Sequence, residues 1–170
     1  MKAVLARPKG KKKLGCVVVI HDNRGLTSHI IDIVQNYLKS LAYLRSRKDS
    51  NGKTGCIGFC WGGGMSNKLA VMDQKLNAAI AYNGAQAKAE DVSKIRASVM
   101  LHYGGLDERI NAGILAYEQA LKQNHIDYKV FVYDGVNHAL NNNTSPTRYN
   151  EAAAKLAWQR TIDLFKEKLG

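Results

Sequence analysis

The stretch Gly58-Phe59-Cys60-Trp61-Gly62-Gly63-Gly64 decides how this chain folds. A β-rich run, 54–59, leads into it, and a helical pattern leads away from Met65. A nucleophile between small residues at a strand-to-helix junction is typical of a nucleophile elbow, here with Cys60 where many hydrolases have serine. The amino terminus of the following helix would favour a thiolate, because it carries partial positive charge. The alternative is a structural cysteine in a glycine-rich turn such as a phosphate-binding loop.

Strand-like and helix-like segments alternate outward from this junction along the chain. The other predicted strands are 2–6, 16–21, 78–82, 97–103 and 128–133. The other predicted helices run from Thr27 or Ser28 to about 47, from about 110 to 124 and from 149 to 168, and residues 49–52 predict a turn. Such alternation predicts a mostly parallel sheet with helices on both faces. No linker or repeat divides the chain, so we expect one α/β domain over residues 1–170.

Composition narrows the class of protein. The chain has 170 residues, 45% of them hydrophobic, with neither an 18-residue apolar run nor the long apolar segment of a signal peptide. Cys16, Cys56 and Cys60 cannot all pair with one another, which favours a reduced, cytoplasmic setting. The net charge is +11. The sequence nevertheless contains neither a known nucleic-acid-binding module nor a surface pattern of basic residues interleaved with aromatics. We therefore expect no nucleic-acid or membrane partner, and a preference for anionic substrates as the effect of the charge.

Three residues with complementary chemistry each follow a predicted strand. Cys60, Asp107 and His138 would meet at the carboxyl edge of a parallel sheet, in the order nucleophile, acid, histidine that the α/β-hydrolase triad has. His138 would accept the thiol proton and Asp107 would orient the imidazole, while the backbone N–H groups of Trp61 and Asn23 would form an oxyanion hole. Taken singly, Asp107 has an alternative role as a helix N-cap and His138 as a loop histidine.

Other histidines and cysteines have weaker claims on function. His21 and His102 follow or end strands and are expected to pack against or line the site, whereas His29 and His125 look like surface positions. The spacing of Cys56 and Cys60 offers no second pair of ligands, so we expect neither a metal nor another cofactor.

The chain resembles the dienelactone hydrolase (carboxymethylenebutenolidase) family of α/β hydrolases over nearly its whole length. The matching segments are Val19 to Leu26 (Val-Ile-His-Asp-Asn-Arg-Gly-Leu), Gly58 to Gly63, Gly105-Leu106-Asp107, Gly135 to His138, Asn141 to Asn143 and Glu151 to Trp158. The resemblance implies a three-layer α/β-hydrolase-like sandwich, with Cys60 as nucleophile, His138 as base and Asp107 as orienting acid. It also implies an auxiliary carboxylate at Asp22, where family members usually have the longer glutamate.

The chain departs from the family pattern beside the expected site. One helix replaces a strand and a long loop that carries an arginine for the substrate carboxylate, so the sheet is expected to be truncated. The family's other arginine, just past the histidine, has no match, and Arg148 is the candidate substitute for substrate binding. Loss of a strand would leave the 16–20 run with an unpaired edge, which predicts a homodimer through that edge.

Two classes of function fit these features. The first is a cysteine hydrolase that cleaves a small ester or lactone through a thioester. The second is a pocket-deficient relative that acts as a binding or assembly module without efficient catalysis. A redox thiol is a distant third, since no resolving cysteine accompanies Cys60.

Overall fold

The computed structural model describes residues 5–6, 13–21 and 30–170, with only the backbone of 30–32. In this part of the chain five strands form one fully parallel sheet in the order β1-β2-β3-β4-β5. The strands are β1 (Leu14–Ile20), β2 (Ser50–Phe59), β3 (Ala78–Tyr82), β4 (Ser98–Gly104) and β5 (Tyr128–Tyr133). The helices are α1 (Ile30–Ser46), α2 (Trp61–Met72), α3 (Glu108–Asn111), α4 (Ile114–Gln123) and α5 (Glu151–Leu169), with a 3₁₀ helix at Ala89–Lys94.

The central strands are the most completely buried. Every residue of β3 and β4 is buried, as expected for strands covered on both faces. In β1 and β5, which lie at the two sides of the described sheet, Val19 is 64% and Val132 is 47% exposed. The expected α/β sheet is therefore confirmed, and its interior lies around β2, β3 and β4.

The two faces of the sheet are covered unequally. Consecutive strands are neighbours in the sheet, and each new strand is added in the same direction across it. Right-handed crossovers therefore place the connecting helices on one face. That face is closed by α1, α2 and α4 through residues such as Leu41, Leu69 and Leu121. The other face is covered by α5, which contributes Ala157 and Leu164 to a second cluster. The Asn150 side chain caps α5 by accepting a 2.9 Å hydrogen bond from the Ala153 N–H.

Three boundaries differ from the sequence-based expectation. The predicted turn at 49–52 is wrong for its last three residues, because β2 already begins at Ser50, where it pairs with Leu14 of β1. The predicted helix at 110–124 is two helices, α3 and α4. Of the predicted strand at 2–6, Leu5 and Ala6 lie in no strand and the remainder falls outside the described residues.

Candidate active site

Cys60 occupies the sharp turn between β2 and α2. Its backbone has φ 53° and ψ −113°, a conformation that is strained for a residue with a side chain. Backbone hydrogen bonds hold the turn: the Cys60 N–H donates to the Tyr82 carbonyl at 2.8 Å, and the Gly64 N–H donates to the Cys60 carbonyl at 3.2 Å. The strand-to-helix elbow predicted from the sequence is therefore present, with Cys60 at its tip.

The glycines beside Cys60 permit this turn by close packing of backbone. A Cβ on Gly58 would lie 1.8 Å from the Gly62 carbonyl oxygen, and one on Gly62 would lie 2.3 Å from the carbonyl oxygen of Ile20 in β1. A Cβ on Gly63 would lie 2.8 Å from the Tyr82 carbonyl oxygen. A side chain at any of these positions would overlap backbone atoms, which cannot move aside without cost, so glycine is strongly favoured there.

Asp107 and His138 reach the same edge from β4 and β5. Asp107 stands at the N-cap position of α3 but its side chain makes no capping hydrogen bond. His138 follows the turn after β5, and this turn packs tightly on the end of β4, where a Cβ on Gly104 would lie 2.5 Å from the Asn137 carbonyl oxygen. This backbone packing fixes the position of the His138 loop against the end of β4, and so the position of His138 relative to Asp107.

The three side chains form a continuous hydrogen-bonded chain. His138 Nε2 lies 3.0 Å from Cys60 Sγ, and His138 Nδ1 forms a short hydrogen bond and ion pair with Asp107 Oδ2. The Asp107 side chain is 8% exposed and the His138 side chain 23%, so solvent reaches the imidazole more than the carboxylate. These three hydrogen-bonded side chains can move a proton from the sulfur to the imidazole, while the carboxylate stabilises the resulting charge.

A cavity of about 450 Å³ opens beside the histidine and carries positive charge. It is lined by Asp107, Arg109, Asn137, His138, Thr147 and Arg148. Arg148, predicted as a substrate-binding residue, is exposed in this cavity. The Asn137 side-chain amide donates to the Thr147 carbonyl at 3.2 Å, which links the segment before Arg148 to the loop that carries His138. Arg109 was not predicted, and its place two residues after Asp107 is the one sequence signal for it.

The remaining predicted site residues fall into three groups. Asp22, Asn23 and His29 lie outside the described residues. Trp61 is the first residue of α2 and is half-buried. His21 and His125 are exposed and His102 is fully buried, which agrees with the expected packing role of His102.

None of the three cysteines forms a disulfide. Cys56 is buried against the Ser66 hydroxyl at 3.1 Å, and burial raises the pKa of its thiol to about 12. Its thiol is therefore inert near neutral pH. Within the described ranges no cluster of histidine, cysteine or carboxylate side chains is arranged to hold a metal ion.

Comparison with known proteins identifies the family. The model of the dienelactone hydrolase family matches residues 33–169. This chain belongs to that family. A curated relative from Saccharolobus solfataricus, named "Putative carboxymethylenebutenolidase", is 30% identical over 89% of this chain and 56% of its own length. Another, "Protein usf" of Aquifex pyrophilus, is 31% identical over 79% of this chain and 57% of its own length.

Solved structures have the same fold. A dienelactone hydrolase-like promiscuous phosphotriesterase from metagenomic libraries superposes with a TM-score of 0.74 at 20% identity, covering 95% of this chain and 89% of that one. A dienelactone hydrolase from Anabaena variabilis gives a TM-score of 0.68 at 17% identity, with 96% and 89% covered. The expected α/β-hydrolase-like fold is confirmed.

The chain spans about half the length of the curated relatives that it matches. The helices of the described part are too short or too polar to cross a bilayer.

Proposed function

We propose that this member of the dienelactone hydrolase family hydrolyses a small ester or lactone through a thioester on Cys60. One observation carries the proposal: Cys60 Sγ, the His138 imidazole and the Asp107 carboxylate lie in hydrogen-bonded series at the carboxyl edge of the sheet. The strained elbow supports it, because a non-glycine residue in this conformation is typical of a turn that exposes a nucleophile.

The reaction proceeds in two displacements. His138 Nε2 takes the Cys60 proton as the sulfur adds to the carbonyl carbon, and the oxyanion is held by the backbone N–H of Trp61 and that of Asn23. Collapse breaks the carbon–oxygen bond, His138 gives its proton to the leaving alkoxide, and a thioester remains. His138 then deprotonates a water molecule that attacks the thioester, releasing the acid and restoring the thiol.

Two further groups assist these steps. Asp107 holds the imidazole orientation and stabilises the imidazolium in both displacements. Asp22, next to the expected oxyanion residue, is proposed as the auxiliary carboxylate beside the resting thiol. Its shorter side chain reaches one methylene less far than the family's usual glutamate, so this role depends on the path of the backbone at residue 22.

The nucleophile is tested by substitution. With p-nitrophenyl acetate as substrate, Cys60→Ala is expected to lower kcat/KM by at least about 10³-fold, because the covalent route is lost. His138→Ala is expected to lower kcat/KM by a similar factor. The double variant should lower kcat/KM no further, since the two residues act as one unit. Cys56→Ala serves as the matched cysteine control and should keep its rate. Equal rates for wild type, Cys60→Ser and Cys60→Ala would exclude the mechanism.

We further propose that the substrate is anionic and that Arg148 binds it. Two guanidinium groups line the cavity that His138 also lines, and a guanidinium matches a carboxylate with two hydrogen bonds. Arg148→Ala is expected to raise KM about tenfold for a carboxylate-bearing ester and to leave that of a neutral ester unchanged. Arg148→Lys, which keeps the charge but loses the paired geometry, should fall between them. An equal rise in KM for both esters would show that Arg148 supports the structure of the site instead of binding the substrate carboxylate.

A binding or assembly module without efficient catalysis is the second candidate, favoured because the sequence has no match to the arginine that the family resemblance implies just past His138. Iodoacetamide distinguishes the two, because an activated thiolate alkylates quickly near neutral pH. The hydrolase requires rapid alkylation of Cys60, with buried Cys56 as the unreactive internal reference. Alkylation of Cys60 at the rate of free cysteine would support the module.

Location and assembly complete the proposal. The absence of disulfides fits a reduced, cytoplasmic setting. The exposed side of β1, where Val19 is 64% exposed, supports a homodimer.

A further inference from the structure

An exposed cation stands at the amino end of every strand of the described sheet. Lys13 precedes β1, Lys48 precedes β2, Lys75 precedes β3 and Arg96 precedes β4, while Lys129 is the second residue of β5. Parallel strands begin at the same edge of a sheet, so these five residues share the edge opposite Cys60.

The strand order turns this set into a row. Neighbouring strands lie about 4.8 Å apart, so five adjacent strands spread their cations over roughly 19 Å across the sheet. Lys129 pairs with Met100, the third residue of β4, so it lies further along the strands than the four cations that precede β1 to β4. In the sequence these residues are far apart, which is why no basic cluster marks them there. The "amino-edge row" denotes these five residues, and Lys9, Lys11 and Lys12 precede its first member in the sequence.

The carboxylates near this edge already have partners. Four aspartates form salt bridges with other basic residues: Asp49 with Arg47 at 2.8 Å, Asp73 with Arg45 at 2.7 Å, Asp91 with Lys94 at 2.5 Å and Asp127 with Lys168 at 2.9 Å. Within the described part of the chain, no member of the amino-edge row forms a salt bridge. Lys129 also interacts electrostatically with the Asp127 carboxylate, which Lys168 already pairs with, so the row keeps most of its positive potential.

We propose that the amino-edge row binds the phosphate backbone of nucleic acid, without sequence preference. The four cations that precede β1 to β4 form a row one cation wide. Such a row matches a linear array of phosphates, which in a duplex carries one charge about every 3.4 Å along each strand. A membrane surface would gain nothing from that order, and stable attachment to it takes a second, apolar signal besides basic charge. The row lies at the opposite edge from Cys60, so this binding goes beyond the proposed hydrolysis and does not depend on it.

Fluorescence anisotropy with a labelled DNA duplex of about 20 base pairs tests the proposal. If all five cations contact phosphates, log K plotted against log salt concentration should have a slope of about −4.5. The variant Lys48→Glu/Lys75→Glu/Lys129→Glu is expected to weaken binding at least tenfold and to reduce the slope by about three. Cys60→Ala should bind as the wild type does, so failure of the hydrolase proposal and of this one are distinguishable.

A matched control separates the row from net charge. The variant Lys39→Glu/Lys68→Glu/Lys88→Glu changes exposed lysines of α1, of α2 and of the loop before the 3₁₀ helix, and it alters net charge equally. It should weaken binding much less than the edge variant. Urea unfolding midpoints check that each variant folds, and a glutamine triple at the same edge positions replaces the glutamate triple if that one unfolds.

Three outcomes would overturn the proposal. The first is no binding of the duplex at about 50 mM salt. The second is an equal loss of affinity in the two lysine triples, which would reflect net charge alone. The third is binding to phosphatidylserine–phosphatidylcholine vesicles with none to the duplex, which would assign the row to a membrane surface.

Discussion

His102 is a titratable residue that the fold removes from water. It is fully buried between the sheet and α5, where its Nδ1 lies 2.9 Å from the Tyr133 hydroxyl and its Nε2 lies 3.3 Å from the Thr161 hydroxyl. Thr161 is in turn 2.8 Å from the Tyr82 hydroxyl, and Arg160 donates to the Tyr133 hydroxyl at 3.2 Å. Burial, and then the positive charge of Arg160, lower the pKa of His102 to about 3. The imidazole is therefore neutral in the native state at every pH above this value.

The low pKa of His102 makes the stability of the protein sensitive to acid. Below about pH 6.5 the unfolded chain takes up a proton at this histidine that the native state refuses, so the unfolded state gains protons and stability falls as pH falls. The loss is roughly 1.4 kcal/mol per pH unit down to about pH 3. Urea unfolding from pH 7 to pH 5 measures it, and His102→Asn should show a shallower pH dependence by about this amount.

An exposed histidine provides the control for this prediction. His125→Asn changes a solvent-facing residue and should leave the pH dependence as in the wild type. An unchanged slope in His102→Asn would show that the acid sensitivity arises elsewhere.

At the scale of the element, the elbow helix α2 contains one glycine that the turn does not need. A Cβ on Gly64 would lie 3.6 Å from the nearest atom, the Ala85 Cβ, which is an ordinary contact. Gly64→Ala is therefore expected to raise the free energy of unfolding by about 0.5–1 kcal/mol, because alanine restricts the unfolded chain and favours helix. Gly63→Ala, one residue earlier, should lower it by about 1–3 kcal/mol through backbone overlap. Urea unfolding of both variants measures the contrast, and equal effects would contradict it.

The elements that the sequence predicted correctly are those with a strong local signal. The β3 run is apolar and the β4 run mostly so, and the glycines after Cys60 mark the elbow, so hydrophobic patterning and turn chemistry placed them. The start of β2 was missed because Asn51-Gly52 carries a turn signal, with Gly52 at φ +85°, while pairing of Ser50 with Leu14 extends the strand. The cavity beside His138 depends on how Arg109 and Arg148 meet in three dimensions, which no local pattern records.

At the scale of the whole molecule, the two sides of the sheet are protected differently. On β5, the Arg160 guanidinium lies 3.9 Å from the centre of the Phe131 ring and covers it. On β1, Val17 packs against the α5-side cluster, and Val19, two residues on, faces the same way yet remains 64% exposed. Within the described part of the chain β1 pairs only with β2. An apolar strand with one neighbour is a template for pairing with another chain.

Pairing of β1 with β1 of a second copy would extend the sheet and shelter Val19 about a two-fold axis. We therefore predict that the wild-type protein is a dimer at micromolar concentration by light scattering. Val19→Lys should shift it to a monomer, since a lysine on an edge strand opposes strand addition. Val132→Lys, on the opposite side of the sheet at a comparably exposed valine, should leave the dimer intact. A wild-type monomer, or equal dissociation by both lysines, would show that β1 is not the interface.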